Sequence, residues 1–246
     1  MKNPLNAYGA IASLYEYLMD VDYDEWAEYV RSLISPYLKG NVGVDAGCGS
    51  GAFTRRFKRA GLNVIGMDIS PEMLAVAEIK AKNEGLNILY VLSDMRKMKV
   101  NSKVDFITAI TDCMNYIPKE DVEKTFKRFA SCLKKGGVLA FDVSTEYKLK
   151  NIIGNNMFGE DGEDFSYLWF NTLTNVGVEM EISAFIRDKG DFFIKKEERH
   201  VQYFHSEEEL KKALGNAGFD LKKTEGHLGK KIDDKTERLN FVAVKL

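Results

Sequence analysis

Two groups of apolar residues in the first forty positions recur at every third or fourth position, as on one face of an amphipathic helix. The first group is Ala7, Ile11, Leu14 and Leu18, and the second is Trp26, Val30 and Leu33. Asp22 and Glu25 have the three-residue spacing of a capping box, which places the start of the second helix beside them. The pattern therefore predicts two helices in this part of the chain.

From residue 42 onward, short runs rich in β-branched residues alternate with helical segments. The predicted strands are Val42–Val44, Asn63–Met67, Ile88–Leu92, Val104–Ile110 and Val138–Phe141. This alternation is typical of a parallel sheet covered by helices on both faces, so we expect an α/β fold.

Capping residues mark the ends of the helices between these strands. Ser70 is the predicted N-cap of a helix that has Pro71 at its first position and ends at Gly85. Another helix is predicted from Pro118 to the glycine pair at 136 and 137.

The last helix and the strands after it show a different connection. A helix is predicted to begin at Ser206, with Glu209 in capping-box position. The runs Leu221–Glu225 and Leu239–Val244 follow with no helix between them, which predicts an antiparallel pair.

Residues from about 151 to 205 interrupt the alternation. A Gly/Asn/Asp-rich loop, NIIGNNMFGEDGED, precedes three strand-like runs, Phe165–Phe170, Val178–Arg187 and Phe192–Phe204, and DKGD predicts a hairpin turn between the last two. We interpret this segment as an antiparallel β insertion that forms a substrate lid. The chain then divides into a helical cap (1–40), a core (41–150 and 206–246) and the insertion (151–205).

Composition and charge narrow the class of protein. The net charge of −2 and the pI near 6.0 give no electrostatic footprint for non-specific nucleic-acid binding. Three widely spaced cysteines without a CxxC pair argue against a disulfide framework and a zinc site. No apolar run approaches the roughly 18 residues of a membrane span, and MKNPLNAYGA lacks the apolar segment of a signal peptide. We expect a cytoplasmic protein with no metal and with no nucleic-acid or membrane partner.

The stretch NVGVDAGCGSGAF carries the clearest chemical signal. Gly47, Gly49 and Ala52 fit the dinucleotide fingerprint G-x-G-x-x-G/A, and Asp68 lies about 20 residues further on, where a ribose-binding acid belongs. Asp45 changes this interpretation, because a carboxylate at the end of the first strand would repel a diphosphate and attract an ammonium or sulfonium group. The SDM motif adds Asp94, which could accept from an adenine amino group, and Met95, which could pack on the ring.

These motifs together resemble those of class I S-adenosylmethionine-dependent methyltransferases, in the same order and over nearly the whole chain. VDAGCGSG resembles the motif that cradles the methionine part of the cofactor, VIGMDIS the motif whose acid holds both ribose hydroxyls, and LSDM the adenine-binding motif. FITAITDCMNYI resembles the fourth-strand motif beside the transferred methyl, and LKKGGVLAFDVST the fifth-strand signature.

The resemblance implies a Rossmann-like fold with a seven-stranded, mostly parallel sheet that has an antiparallel strand near its C-terminal end. It also implies S-adenosylmethionine as the cofactor. The residues expected to contact it are Tyr8, Tyr15, Asp45, Gly47, Gly49, Gly51, Asp68, Ile69, Asp94, Met95 and Asp112.

The leader, AYGAIASLYEYLM followed by VDYDEWAEYV, is similar to that of bacterial sugar-amine and glycine N-methyltransferase-like enzymes. In such relatives the leader helices close over the cofactor and carry aromatic contacts, which implies these roles for Tyr8 and Tyr15. Relatives commonly have Tyr-Asp where this chain has Tyr15-Glu16, so we assign no role to Glu16.

No catalytic group follows from the sequence. Asp112, after the fourth strand, and His200, on a predicted insertion strand, are candidates, whereas Cys48 and Cys113 fit tight turns better than they fit a nucleophile. Methyl transfer from an activated cofactor depends mainly on positioning, so the absence of an evident base does not exclude activity.

We expect transfer to a small-molecule acceptor, with nitrogen preferred over oxygen because of the leader. The alternatives are methylation of RNA or protein, a non-catalytic regulator that binds the same cofactor, and an NAD-dependent oxidoreductase. The identity of the acceptor and the oligomeric state stay open.

Overall fold

The computed structural model describes residue 12, residues 15–19 and residues 21–246, with only the backbone at 17 and 18. The helices are α1 (Tyr15–Leu18), α2 (Tyr23–Ile34), α3 (Ala52–Arg59), α4 (Pro71–Asn83), α5 (Lys119–Cys132) and α6 (Glu207–Asn216). The strands are β1 (Val42–Ala46), β2 (Asn63–Asp68), β3 (Tyr90–Leu92), β4 (Val104–Ala109), β5 (Leu133–Ser144), β6 (Met157–Asp161), β7 (Phe165–Leu173), β8 (Gly177–Arg187), β9 (Phe193–Tyr203), β10 (Phe219–Gly226) and β11 (Arg238–Lys245). The predicted first helix lies mostly outside the described residues.

The main sheet has seven strands in the order β10-β11-β5-β4-β1-β2-β3. Strands β1 to β5 pair in parallel, and β11 runs antiparallel to both β5 and β10. This confirms the predicted α/β fold with its antiparallel C-terminal strand. In the described part of the chain, no helix is long and apolar enough to cross a membrane.

Most of the predicted helix ends are confirmed by their hydrogen bonds. The Oδ1 atom of Asp22 accepts from the backbone N–H groups of residues 24 and 25 at the start of α2. Ser70 caps α4 by accepting from the backbone of Met73, and Ser206 forms a full capping box with Glu209. Local sequence was sufficient for these boundaries because each cap depends on residues within one helical turn.

The predicted end of the helix that begins near Pro118 was wrong. Helix α5 ends at Cys132, and β5 begins at once with Leu133. The glycine pair lies inside the strand instead, where the register with β4 shifts and Gly136 has φ +76°. These glycines therefore mark a β-bulge, which needs the same left-handed conformation as a helix C-cap.

The insertion forms a four-stranded antiparallel sheet in the order β6-β7-β8-β9. Three of its strands and the DKGD turn were predicted, but β6 was expected to be part of a loop. All five residues of β6 are exposed, so its sequence has no alternation between buried and exposed positions. Its strand structure comes from pairing with β7 along five successive residues.

The core has a layer of side chains on each face of the main sheet. On one face, α5 and α6 pack against strand residues that include Phe141 and Phe241, whose rings stack with centroids 4.8 Å apart. On the other face, α2 and α3 bury Trp26, Phe53 and Phe57. The carboxyl ends of β1, β2, β4 and β5 thus open at one edge, where α/β folds bind ligands.

Candidate functional site

The loop between β1 and α3 is fixed by three glycines in the left-handed region, Gly47 (φ +73°), Gly49 (φ +53°) and Gly51 (φ +78°). A Cβ at Gly47 would lie 2.5 Å from the Cys113 sulfur, and one at Gly51 would lie 2.5 Å from the Tyr90 hydroxyl. Apart from its two chain neighbours, no atom of the residues that the structure describes lies within 4 Å of a Cβ built at Gly49. A side chain at Gly47 or Gly51 would therefore clash with its neighbours, whereas Gly49 leaves open space beside the backbone for a ligand.

Asp68 lies at the end of β2, beside this open space. Its Oδ2 accepts from the backbone of Gly49 at 2.8 Å, and its Oδ1 accepts from the backbone of Ser70 at 2.9 Å. A carboxylate has about four acceptor sites, so each oxygen keeps capacity for one further donor. Burial raises the pKa of Asp68, against the effect of these backbone donors. The neighbouring Ile69 is 41% exposed, as expected for an apolar side chain that a flat ring can cover. This geometry fits a ribose and an adenine.

Asp45 is buried behind the loop. Its Oδ2 accepts from the Thr54 hydroxyl at 2.6 Å, and its Oδ1 accepts from the Thr108 hydroxyl at 2.9 Å. Burial raises its pKa to about 6, although both threonines act in the opposite direction. The carboxylate therefore faces the interior, and any attraction for a cationic ligand acts across the loop. That role stays a prediction.

Asp94 and Met95 lie next to each other after β3. The carboxylate of Asp94 accepts from the Arg96 backbone at 2.9 Å and from the Arg96 guanidinium at 2.6 Å. Burial raises the pKa of Asp94, but the bonds to Arg96 outweigh it and lower the pKa overall. The Met95 methyl group lies 3.0 Å from a Cβ built at Gly47, so Met95 borders the glycine loop. Adenine contact by Asp94 stays a prediction.

The turn after β4 contains two consecutive non-glycine residues in the left-handed region, Thr111 (φ +65°) and Asp112 (φ +62°). Each costs about 1–2 kcal/mol in backbone strain. Both backbone N–H groups donate to the carboxylate of Asp142, at 3.1 and 2.7 Å. The Arg238 guanidinium binds both oxygens of Asp112 and also Asp142 at 2.8 Å.

Electrostatics make Asp112 a poor proton acceptor. Burial favours its neutral form, but the charges of Arg238 and Lys148, together with the hydrogen bonds from Arg238 and Ser144, outweigh burial and lower the pKa of Asp112. The Ser144 hydroxyl donates to the same carboxylate at 2.8 Å. Sequence analysis missed Asp142, Ser144 and Arg238 as site residues. The available signals were Asp142 within the apolar run 138–143 and Arg238 at the start of the last strand.

The rest of this turn, Cys113–Tyr116, connects the glycine loop to the insertion. The Cys113 thiol lies 3.3 Å from the Gly47 carbonyl oxygen and 3.0 Å from that of Ile110. Asn115 donates to the carbonyl oxygens of Ser144 and Tyr203, both at 3.1 Å. Burial raises the pKa of the Cys113 and Cys48 thiols, so both stay protonated and neither is a nucleophile.

The insertion turns a buried polar row toward this turn. Glu198, His200 and Gln202 alternate with exposed residues along β9 and are each no more than 7% exposed. His200 Nε2 lies 3.0 Å from a Glu198 carboxylate oxygen, and the His200 ring meets the Tyr116 ring edge-on with centroids 6.0 Å apart. The structure therefore brings the predicted candidate His200 close to the end of β4.

Helix α1 is attached to the glycine loop by a residue that sequence analysis left without a role. The Glu16 carboxylate accepts from the Ser50 hydroxyl at 2.5 Å, from Arg55 at 3.2 Å and from Lys80 at 2.9 Å. The adjacent Tyr15 packs against Ile182 and Ala184 of the insertion. Tyr15 thus lies between the core and the insertion, and Tyr8 lies outside the described residues.

The chain is similar in sequence to known proteins. Residues 44–137 match the family model described as a methyltransferase domain. A protein of Geobacillus sp. strain WCH70 that carries a methyltransferase name is 32% identical over 247 residues, which cover 97% of this chain and 99% of that protein. YqeM of Bacillus subtilis strain 168, also named as a methyltransferase, is 32% identical over 97% of both chains.

Solved structures show the same likeness. The crystal structure of an S-adenosylmethionine-dependent methyltransferase from Clostridium acetobutylicum ATCC 824 has a TM-score of 0.88 and 32% identity, covering 97% of this chain and 98% of that one. The sugar N-methyltransferase KedS8 from Streptoalloteichus sp. ATCC 53650 has a TM-score of 0.75 at 18% identity, covering 94% of this chain and 91% of that one. At that identity, KedS8 shows the shared fold alone.

Proposed function

Because this chain belongs to the S-adenosylmethionine-dependent methyltransferases, we propose that it transfers a methyl group to the nitrogen of a small polar acceptor. The cofactor supplies an electrophilic methyl group on a sulfonium sulfur. The NAD-dependent alternative has no support among these relatives.

The described residues fit this cofactor at both of its ends. Asp68 would accept the two ribose hydroxyls, and exposed Ile69 and Met95 would flank the adenine. The open backbone at Gly49 would lie along the methionine portion, where the charge of Asp45 favours a cation across the loop.

One observation carries the proposed acceptor: the Glu198–His200 pair is buried on the face of the insertion that meets Tyr116. Burying a carboxylate is costly unless it is paired or solvated, so an apolar acceptor would gain little from this surface. A polar acceptor with N–H groups would donate to Glu198 and to the neighbouring amide of Gln202. This chemistry suits an amine or amino sugar better than a hydroxylated aromatic ring.

The residues of the chain then have separate tasks. Tyr15 and Tyr116 orient the acceptor, and the insertion excludes water. Correct alignment of the acceptor nitrogen with the methyl group lowers the activation barrier by up to about 7–11 kcal/mol. The acceptor nitrogen must be neutral to attack, because a protonated amine has no lone pair. The His200 imidazole, oriented by Glu198, takes the proton that the nitrogen releases. Asp112 does not fit this task, because Arg238 keeps it ionised.

A panel of amines, amino sugars and hydroxylated aromatics, assayed for uptake of labelled methyl, tests the proposal. We expect turnover with the amines only. Glu198→Gln should lower turnover about tenfold or more, because Glu198 orients His200 and a well-placed general base contributes about 10²–10⁴-fold. Glu197→Gln changes the neighbouring residue on the exposed face of the same strand and is the matched control. Turnover with the aromatic hydroxyls alone, or equal loss in both variants, would contradict the proposal.

Two other functions fit less well. The net charge of −2 disfavours RNA as the acceptor. A protein acceptor needs an open groove, whereas Tyr15 of α1 packs against the insertion beside the glycine loop. A regulator that only binds the cofactor has no need for a buried Glu–His pair at the acceptor side. Methyl uptake by bulk RNA or by protein in the same assay would favour the first alternative.

A further inference from the structure

The strained turn at Thr111 and Asp112 keeps its conformation through hydrogen bonds to a residue outside the turn. Thr111 is β-branched and takes the left-handed conformation only at a cost, and Asp112 takes it less readily than a glycine would. The two backbone N–H groups point to one carboxylate, that of Asp142, as in an anion-binding nest. That carboxylate comes from the next strand of the sheet, so the turn depends on a partner 30 residues away.

Arg238 supplies the positive charge that offsets the charges of Asp112 and Asp142. Its Nη1 atom donates to Oδ1 of both Asp112 and Asp142, and its Nη2 donates to Oδ2 of Asp112. Without the guanidinium, the buried carboxylates of Asp112 and Asp142 would lie close together, and they would lose the cation that binds both of them. The ring of Trp26 from α2 lies 4.7 Å from the guanidinium carbon and closes the cluster from the leader side.

The turn is in direct contact with both halves of the site. Cys113 follows the strained pair and touches the Gly47 carbonyl of the glycine loop. Asn115 then binds the end of β9 through Tyr203, and Tyr116 meets His200. A displacement of Asp112 would therefore move the loop that holds the cofactor and the wall that faces the acceptor.

We propose that Arg238 is a positioning residue for methyl transfer, which holds the 111–116 turn in its strained shape through Asp112 and Asp142. This inference goes beyond the proposed acceptor and does not depend on the acceptor's nature. The proposed function gives Arg238 no contact with either reactant, so the test uses cofactor-product binding and local backbone exchange.

The test compares Arg238→Met and Arg238→Lys with Phe241→Leu, using titration calorimetry with S-adenosylhomocysteine and amide hydrogen exchange of peptides spanning 110–117. Phe241 lies on the same strand, is fully buried in the other face of the sheet, and is the control for general loss of stability. We expect Arg238→Met to weaken S-adenosylhomocysteine binding about tenfold and to speed exchange in 110–117 about tenfold. Arg238→Lys keeps a charge but not the two-pronged contact, so its effects should be intermediate. Phe241→Leu should lower the urea midpoint and leave the affinity within about twofold.

A rescue variant separates positioning from stability. Thr111→Gly takes the left-handed conformation without strain, so combining it with Arg238→Met should recover at least half of the lost affinity in logarithmic terms. Thr111→Gly alone should bind S-adenosylhomocysteine as the wild type does. Wild-type affinity and exchange in Arg238→Met, an equal loss in Phe241→Leu, or the absence of rescue would each overturn the inference.

Discussion

Replacing Asp45 with asparagine tests the electrostatics of the cofactor site most directly. The carboxylate is 2% exposed and is held by two threonine hydroxyls, with no cationic side chain bonded to it. Burial raises its pKa to about 6 from an ordinary value near 3.9. The folded protein therefore pays a free-energy cost to keep this group ionised at neutral pH.

The size of that cost follows from the shift. A pKa raised by about two units means that ionised Asp45 lowers the free energy of unfolding by about 3 kcal/mol above pH 7. Asp45→Asn removes this cost, but rearranging the hydrogen bonds around the asparagine offsets about 1 kcal/mol of the gain. The sign follows from proton binding: between pH 4 and 6 the folded state binds more protons than the unfolded state, so wild-type stability falls as pH rises. Asp45→Asn removes this dependence. We expect it to be about 1–2 kcal/mol more stable than the wild type at pH 8, the difference to reach zero near about pH 4.5, and the variant to be slightly less stable at pH 4, where only the hydrogen-bond penalty remains.

Urea unfolding followed by circular dichroism from pH 4 to pH 8 measures the stability, and calorimetry with S-adenosylmethionine measures the affinity. We expect a more stable variant that binds the sulfonium cofactor about tenfold less tightly, because the attraction across the loop is lost. Asp188→Asn on the exposed hairpin is the control, because it makes the same chemical change far from the buried Asp45. A stability difference that is the same at pH 4 and pH 8 would refute the burial argument. Unchanged affinity would remove Asp45 from cofactor binding.

Three further changes probe the site. Asp68→Ala should weaken S-adenosylmethionine binding at least tenfold, about 1.4 kcal/mol, as measured by calorimetry, because both ribose hydroxyls lose their acceptor. Gly47→Ala should abolish detectable binding, since the new methyl group would lie 2.5 Å from the Cys113 sulfur at a positive φ. Glu16→Gln should weaken binding about threefold to tenfold at pH 7, because α1 loses its ionic attachment to the glycine loop. Burial raises the pKa of Glu16, but its hydrogen bonds and cationic neighbours outweigh this and lower it. The wild-type advantage over Glu16→Gln should therefore persist at neutral pH and disappear as pH falls through that lowered pKa.

The features that sequence analysis predicted correctly depend on nearby residues. Helix caps, the β1 loop and the alternation of strands with helices each arise within about a dozen positions. The left-handed glycines of the loop could be predicted because a glycine in a short turn indicates a backbone with positive φ.

The features that it missed depend on contacts between distant positions. Arg238 binds Asp112 across 126 residues, and Asp112 itself adopts a glycine-like conformation without being a glycine. Nothing local distinguishes such a residue from an ordinary turn aspartate. Strand β6 was missed for a related reason, because all its residues are exposed and only its pairing with β7 makes it a strand.

This division also explains why the cofactor was predictable and the acceptor was not. The residues that match the methyltransferase family model, 44–137, contain the glycine loop, Asp68 and the SDM motif in one continuous block. The proposed acceptor side combines Tyr15 in α1, Tyr116 after β4 and the polar row of β9, which no short motif can contain. Glu198 and His200 project from a sheet that contacts the core through its ends, through Tyr15, through the 113–116 turn and through Leu149. Substitutions there can change the acceptor while the cofactor block keeps its geometry. Relatives that share residues 44–137 are therefore expected to share the cofactor, and only those that also share Glu198 and His200 are expected to share the acceptor.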